Sequence, residues 1–133
     1  MTDTTHRETS DRLYFRQLLS GRDFATEDPM ARQMVNFVYL IGDLETGEAV
    51  VVDPAYDVDG ILEVLAADDM RCTGALATHY HPDHVGGSMM GSDIIGAAEL
   101  LERTSVPIHA QRDEAGFIAE VTGLGDGEIV GHD

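Results

Sequence analysis

Three apolar runs of strand length stand out from an otherwise polar chain: residues 35–41, 49–52 and 73–77. The first two are almost continuously apolar and rich in β-formers, the pattern of buried strands, and Gly42-Asp43-Leu44-Glu45-Thr46-Gly47 reads as the hairpin loop that joins them. An earlier segment, residues 13–19, predicts a first strand that ends at Gly21-Arg22-Asp23. Between and after these runs the period changes. Val58, Ile61, Leu62 and Leu65 share one helical face behind a cap at Asp57, and Ile94, Ala97, Ala98 and Leu101 make a second stripe behind Ser92 or Asp93. A short strand is expected at 106–109, and a further helix opening at Asp113 carries Ala115, Ile118 and Ala119. Residues 123–133 are glycine-rich and read as a loop. Strands alternating with helices predict an α/β layered domain.

Composition narrows the setting. A chain of 133 residues supports one domain with a core, expected over 13–133, behind a polar tail at 1–12. Acidic residues number 25 against 8 basic ones, all arginine, for a formal charge of -17. Such a field repels polyanions, so neither nucleic acid nor an anionic membrane surface is expected as a partner. An acid excess without lysine resembles proteins of salt-rich cytoplasm, with high-GC codon usage as the competing explanation. Cys72 is the single cysteine; no intramolecular disulfide can form, and it reads as a small buried hydrophobe in a reducing, cytoplasmic setting. The first 11 residues lack the apolar stretch of a secretion signal, and no run approaches the roughly 20 apolar residues that span a bilayer.

The chemistry is concentrated directly after the run at 73–77. Thr78-His79-Tyr80-His81-Pro82-Asp83-His84-Val85-Gly86-Gly87 places three imidazoles and a carboxylate within six positions. Alternation at a strand end puts His79 and His81 on the same side, where their nitrogens can converge on one ion. Pro82 forbids further ladder pairing, and the turn brings Asp83 and His84 round together as donors for a second ion or an outer shell. Chance clustering is a poor alternative in a chain with only 6 histidines.

His79-x-His81-x-Asp83-His84, with Thr78 before it and Val85-Gly86-Gly87 after it, resembles the signature of the metallo-beta-lactamase fold superfamily of metal-dependent hydrolases. Residues 36–41 and 49–54, ending in Asp53-Pro54, resemble that family's early strand pair. The resemblance implies an αββα sandwich, of which this chain supplies mainly the first half, and it is similar in type to glyoxalase II. It further implies His79 and His81 on one metal and Asp83 with His84 on a second, zinc in one or two ions, with iron as the alternative. Asp83 would be the catalytic residue that orients a metal-activated water, and Asp53 would brace the ligand loop or simply cap the turn at Pro54.

The family pattern also expects a third histidine, a bridging aspartate and a final histidine downstream, whereas only His109 and His132 remain here. His109 reads as a packed or surface residue of its strand, and His132, in Gly131-His132-Asp133 rather than Pro-Gly-His-Thr, is a residual ligand candidate. The chain therefore reads as an N-terminal half that either pairs with a second copy or with a C-terminal half, or is a product truncated at its C-terminus that is not an active enzyme by itself. Three function classes stay open: a metallo-hydrolase of a small-molecule acyl ester or thioester, with a mononuclear iron persulfide dioxygenase as its rival; a metal-binding module without catalysis; and an inactive interaction fragment. An exported lactamase and a nuclease are disfavoured by the lack of a leader and by the charge.

The charge generates a direct expectation. Compactness is electrostatically costly at -17, so the thermal midpoint rises between about 0.1 M and about 2 M potassium chloride, as the Debye length shrinks from about 10 Å to below about 3 Å. A flat or falling midpoint in calorimetry removes the salt-adapted reading.

Overall fold

A computed structural model describes residues 11–89 and 91–133. The first ten residues of the expected tail lie outside the described set, while Arg12 is tied by ion pairing to Asp43, and its carbonyl accepts from Leu44 N at 2.6 Å. Six strands form one mixed sheet in the order β1-β2-β3-β4-β7-β8. The strands β1 (Leu13–Leu19), β2 (Phe37–Asp43) and β3 (Glu48–Val52) are an antiparallel meander. From β3 onward pairing is parallel, through β4 (Arg71–Ala77) and β7 (Ile108–Gln111) to β8 (Ile129–His132).

Each parallel step needs a crossover, and the sequence supplies helices with one apolar face for them. Helix α2 (Val58–Ala67) links β3 to β4, with Asp57 Oδ1 accepting from Gly60 N at 2.9 Å as its cap. Helix α5 (Arg112–Thr122) links β7 to β8, opening on Gln111 rather than at the expected Asp113. The remaining helices are α1 (Pro29–Met34), the single turn α3 (Pro82–Val85) and α4 (Ala97–Arg103). Strands β5 (Gly87–Met89) and β6 (Ser92–Ile94) form a separate antiparallel pair.

The register sorts the sheet into two unlike faces. One carries Tyr14, Leu18, Val38, Leu40, Ala49, Val51, Ala75, Ala77, Ile108, Ala110 and Ile129, all buried with residues of the helices, including Ala31, Ile61, Leu65, Leu100 and Ile118. The other carries Phe15, Tyr39, Ile41, Val50, Val52, Leu76, His109 and Val130 and is only partly covered: Ile41 is 37% and Val130 40% exposed. One sheet and one helical layer are therefore present, the expected α/β half-sandwich. Among the described residues no helix is long and apolar enough to cross a membrane.

Four further expectations about elements are corrected. The strand expected from Val35 starts at Phe37, because Val35 takes a left-handed conformation (φ 48°) that closes α1, a short helix capped by Asp28 Oδ1 at 2.9 Å from Met30 N. The helix expected behind Ser92 or Asp93 begins after Gly96, whose N–H donates to Glu99 Oε1 at 2.7 Å, and Ile94 lies in β6. Residues 123–133, expected as loop, include a 3-10 turn and then β8, which adds itself to β7. The short strand expected at 106–109 is shifted to Ile108–Gln111.

Helix α4 starts at Gly96 because two backbones meet there. A Cβ on Gly96 would collide with the Val85 carbonyl, and one on Gly86, whose φ is 91°, would lie 2.8 Å from Gly96 Cα. Gly96→Ala is therefore an overpacking change that costs about 1–3 kcal/mol, or some ~4 °C of thermal midpoint for each kcal/mol at this size. Gly116, exposed on α5, is its control, since a Cβ there would meet nothing within 4 Å. Gly116→Ala stabilises by up to about 1 kcal/mol through helix propensity and raises the midpoint. Calorimetry of the two variants checks both signs.

Candidate metal centre

The parallel register of β3 and β4 pairs Val52 with Leu76, so the residues leaving the two strands emerge side by side at one edge. Asp53 N donates to the Leu76 carbonyl at 2.8 Å, and Asp53 then turns left-handed (φ 56°) before Pro54. Few residues other than glycine tolerate that conformation, and aspartate is one of them. The turn directs its carboxylate under the loop that leaves β4. Asp53 Oδ1 accepts from Thr78 N at 2.7 Å, and Oδ2 accepts from Thr78 Oγ1 at 2.6 Å and from His84 Nδ1 at 3.0 Å. Asp53 is 6% exposed, and these three donors offset the cost of burying its charge.

This arrangement sets two imidazole tautomers. The Thr78 hydroxyl proton is committed to Asp53, so the 2.8 Å contact between Thr78 Oγ1 and His79 Nδ1 has the ring N–H as donor. His84 likewise donates from Nδ1 to Asp53. Both rings then keep an unprotonated Nε2, the atom a metal needs. One carboxylate thus orients two histidines, one directly and one through a threonine.

Pro82 occupies the first position of α3, and the turn closes with His84 N on the His81 carbonyl at 2.9 Å and Gly86 N on the Pro82 carbonyl at 2.8 Å. That turn brings His84 back to His79, with ring centroids 4.2 Å apart, and the His81 ring lies 4.6 Å from that of His79. Asp83 is buried, its Oδ2 3.6 Å from His84 Nε2. Asp53, His79 and His84 each bring a potential ligand atom within 4.8 Å of the others, but the oxygens of Asp53 are already engaged. Imidazole nitrogens with the Asp83 carboxylate nearby suit a zinc- or iron-class ion by their borderline and hard character.

Electrostatics separates the two central rings. The hydrogen bond to Asp53 holds the His84 pKa above its ordinary value against the opposing effect of burial. Burial, and then the neighbouring His84, pushes that of His79 down. As pH falls, His84 takes up a proton before His79 does.

Several supporting residues were not visible in the sequence. Asn36, between α1 and β2, donates through Nδ2 to both the carbonyl and the Oδ2 of Asp83, at 2.8 Å each. Glu114 on α5 accepts from Tyr80 N at 3.0 Å, and Phe117, one turn further on, packs its ring 5.3 Å from that of Tyr80. The buried Tyr56 hydroxyl has no hydrogen-bond partner among the described residues, and burial with the nearby charges of Asp83 and Asp28 raises its pKa. His132, the residual ligand candidate, is not gathered into the cluster: it lies in β8, two strands beyond β4, and its Nε2 is 2.9 Å from His109 Nδ1.

A half-parallel sheet that presents a histidine cluster at the carboxyl edge of its strands defines a metal-binding α/β protein. The sequence narrows the class: residues 31–129 match the metallo-beta-lactamase superfamily, and the chain belongs to it. Hydroxyacylglutathione hydrolase of Synechococcus sp. (strain ATCC 27144 / PCC 6301 / SAUG 1402/1) is 33% identical over 92 residues, 66% of this chain and 35% of that protein. The Fuscovulum blasticum hydroxyacylglutathione hydrolase is 31% identical over 110 residues, 73% of this chain and 43% of that protein. Among solved structures, ETHE1 from Myxococcus xanthus superposes with a TM-score of 0.50 at 30% identity, covering 71% of this chain and 34% of that one. BLEG-1 B3 metallo-beta-lactamase shares the fold, with a TM-score of 0.56 at 19% identity over 90% of this chain and 49% of its own. The chain spans 35% to 43% of the length of these two curated relatives.

Asp53→Asn keeps the shape but replaces an acceptor with a donor toward Thr78 and His84. Metal affinity near pH 8 falls about 10–100-fold. The pH at which His84 releases its proton to admit metal moves down, because the carboxylate that raised it is gone. Zinc titrations across pH 5.5–8.5, with proton release followed by NMR, check both effects.

Proposed function

We propose that this chain is the metal-binding part of a metal-dependent hydrolase that cleaves a small-molecule acyl ester or thioester. The observation that carries the reading is the Asp53 carboxylate that holds His84 Nδ1 directly and His79 Nδ1 through Thr78, an arrangement that leaves Nε2 of both rings for an ion. His79 and His81 would hold one ion, and Asp83 with His84 a second, as the resemblance implies. Zinc or iron bound there would lower the pKa of a water to about 7 and polarise the substrate carbonyl. Asp83, pinned through Oδ2 by Asn36, orients that water and accepts its proton. Glu114 and Phe117 hold the Tyr80 backbone and ring, which keeps His79 and His81 in place on either side. The thioester class is supported by the names of the hydroxyacylglutathione hydrolase relatives, and the setting we assign is cytoplasmic.

The site draws on more polypeptide than these residues. The partly covered apolar sheet face is the surface against which a second layer, from another copy or a C-terminal half, would pack and bring further ligands. The rival reading from the resemblance, a mononuclear iron persulfide dioxygenase, is separated from the hydrolase by metal content.

Purified chain retains zinc or iron after mild dialysis, read by mass spectrometry, and His79→Ala with His81→Ala removes it. Equal content in the two proteins would sink the proposal.

The isolated chain cleaves an acyl-glutathione thioester with added zinc at close to background, and mixing in or fusing a C-terminal half from a related protein restores turnover. Robust turnover by the chain alone, lost in both His84→Ala and His132→Ala, would place a complete site within these residues.

A further inference from the structure

Outside the motif, one other pair of imidazoles meets among the described residues. His109 on β7 and His132 on β8 lie on the partly covered face of the sheet, where the register sets His109 beside Val130 and His132 beside Gln111. Their rings are 5.1 Å apart, and His109 Nδ1 is 2.9 Å from His132 Nε2. The carboxylate of Asp133 is held by Arg112 at 2.9 Å, and the side-chain oxygen of Gln111 accepts from Asp113 N at 2.7 Å, so neither competes for the imidazoles. We propose that His109 and His132 form a second, two-imidazole site for a divalent transition metal, separate from the motif and with copper as its tightest occupant.

The 2.9 Å between the facing nitrogens is a hydrogen-bond distance, and a metal that takes the place of the shared proton draws both lone pairs to itself. Among divalent first-row metals, imidazole sites hold copper most tightly, which sets the preference. The proton balance is simple. Two neutral rings carry two protons, one of them between His109 Nδ1 and His132 Nε2. On binding, that proton moves to the far nitrogen of its own ring, so both facing nitrogens offer lone pairs and no net proton is released. Both histidines are anchored on paired strands, which keeps the two side chains neighbours, and each ring turns about its own side-chain torsions to aim at the ion. The -17 formal charge adds a favourable field for a cation.

Copper(II) titration followed by electron paramagnetic resonance tests the site on the full chain at neutral pH. The wild type is expected to bind one more equivalent, with nitrogen hyperfine structure, than either His109→Gln or His132→Gln; both are surface changes on a sheet face, and circular dichroism checks that the fold is kept. In the His79→Ala, His81→Ala variant the same equivalent remains, and there it is lost on adding His132→Gln. An equivalent that survives His132→Gln is bound elsewhere, for example at His6, and overturns the proposal, as does a wild type that binds no copper beyond the motif. Zinc that binds this pair as tightly as copper would overturn the selectivity.

Discussion

The buried carboxylate of Asp53 is the constraint on which the site depends. It accepts from a backbone N–H, a threonine hydroxyl and an imidazole, and through these it fixes the start of the motif loop and its last histidine at once. Removing it would leave Thr78 N–H without its acceptor, a loss of about 1–3 kcal/mol if that group stays buried. It would also free both rings to change tautomer. The left-handed turn at Asp53 is the local strain that makes this reach possible, held in place by the bond from its N–H to β4.

The sheet explains why such a carboxylate is available at that edge. Parallel strands end together on one side, and loops leaving them converge there, which is where open α/β sheets place their ligands. The change from an antiparallel meander to parallel pairing occurs at β3, so Asp53 stands at the first parallel strand and the histidines just beyond the second. The residue before β2 supplies Asn36 to Asp83, and α5 supplies Glu114 and Phe117 to Tyr80. With Asp53, the histidine loop is thus braced from three separate parts of the chain.

What could be read from sequence was what is local. Three imidazoles within six positions announce metal chemistry without any tertiary information, and Asp53 was legible as a carboxylate ending an apolar strand. Asn36 was not, because it reaches Asp83 across 47 positions, and Glu114 reaches Tyr80 across 34. The short helix α1 buries only Ala31 and has no stripe to detect, and β8 buries only Ile129 along a glycine-rich stretch. The helix cap was misplaced for a different reason. Asp93 has the right chemistry, but the contact of Gly96 with Val85 decides where the chain can turn, and no side-chain pattern encodes a backbone collision that is avoided.

That contact has a dynamic consequence. Val85, at the end of the turn that carries Asp83 and His84, and Ala97, at the start of α4, are both fully buried in one cluster with Leu100. With Gly86 and Gly96 touching backbone to backbone, the turn that carries Asp83 and His84 cannot open without loosening the first turn of α4. The two form one cooperative unit of local unfolding. Occupancy at the histidines should therefore be legible in the hydrogen-exchange protection of the Leu100 amide, which bonds the Gly96 carbonyl at 2.9 Å and touches no ligand itself.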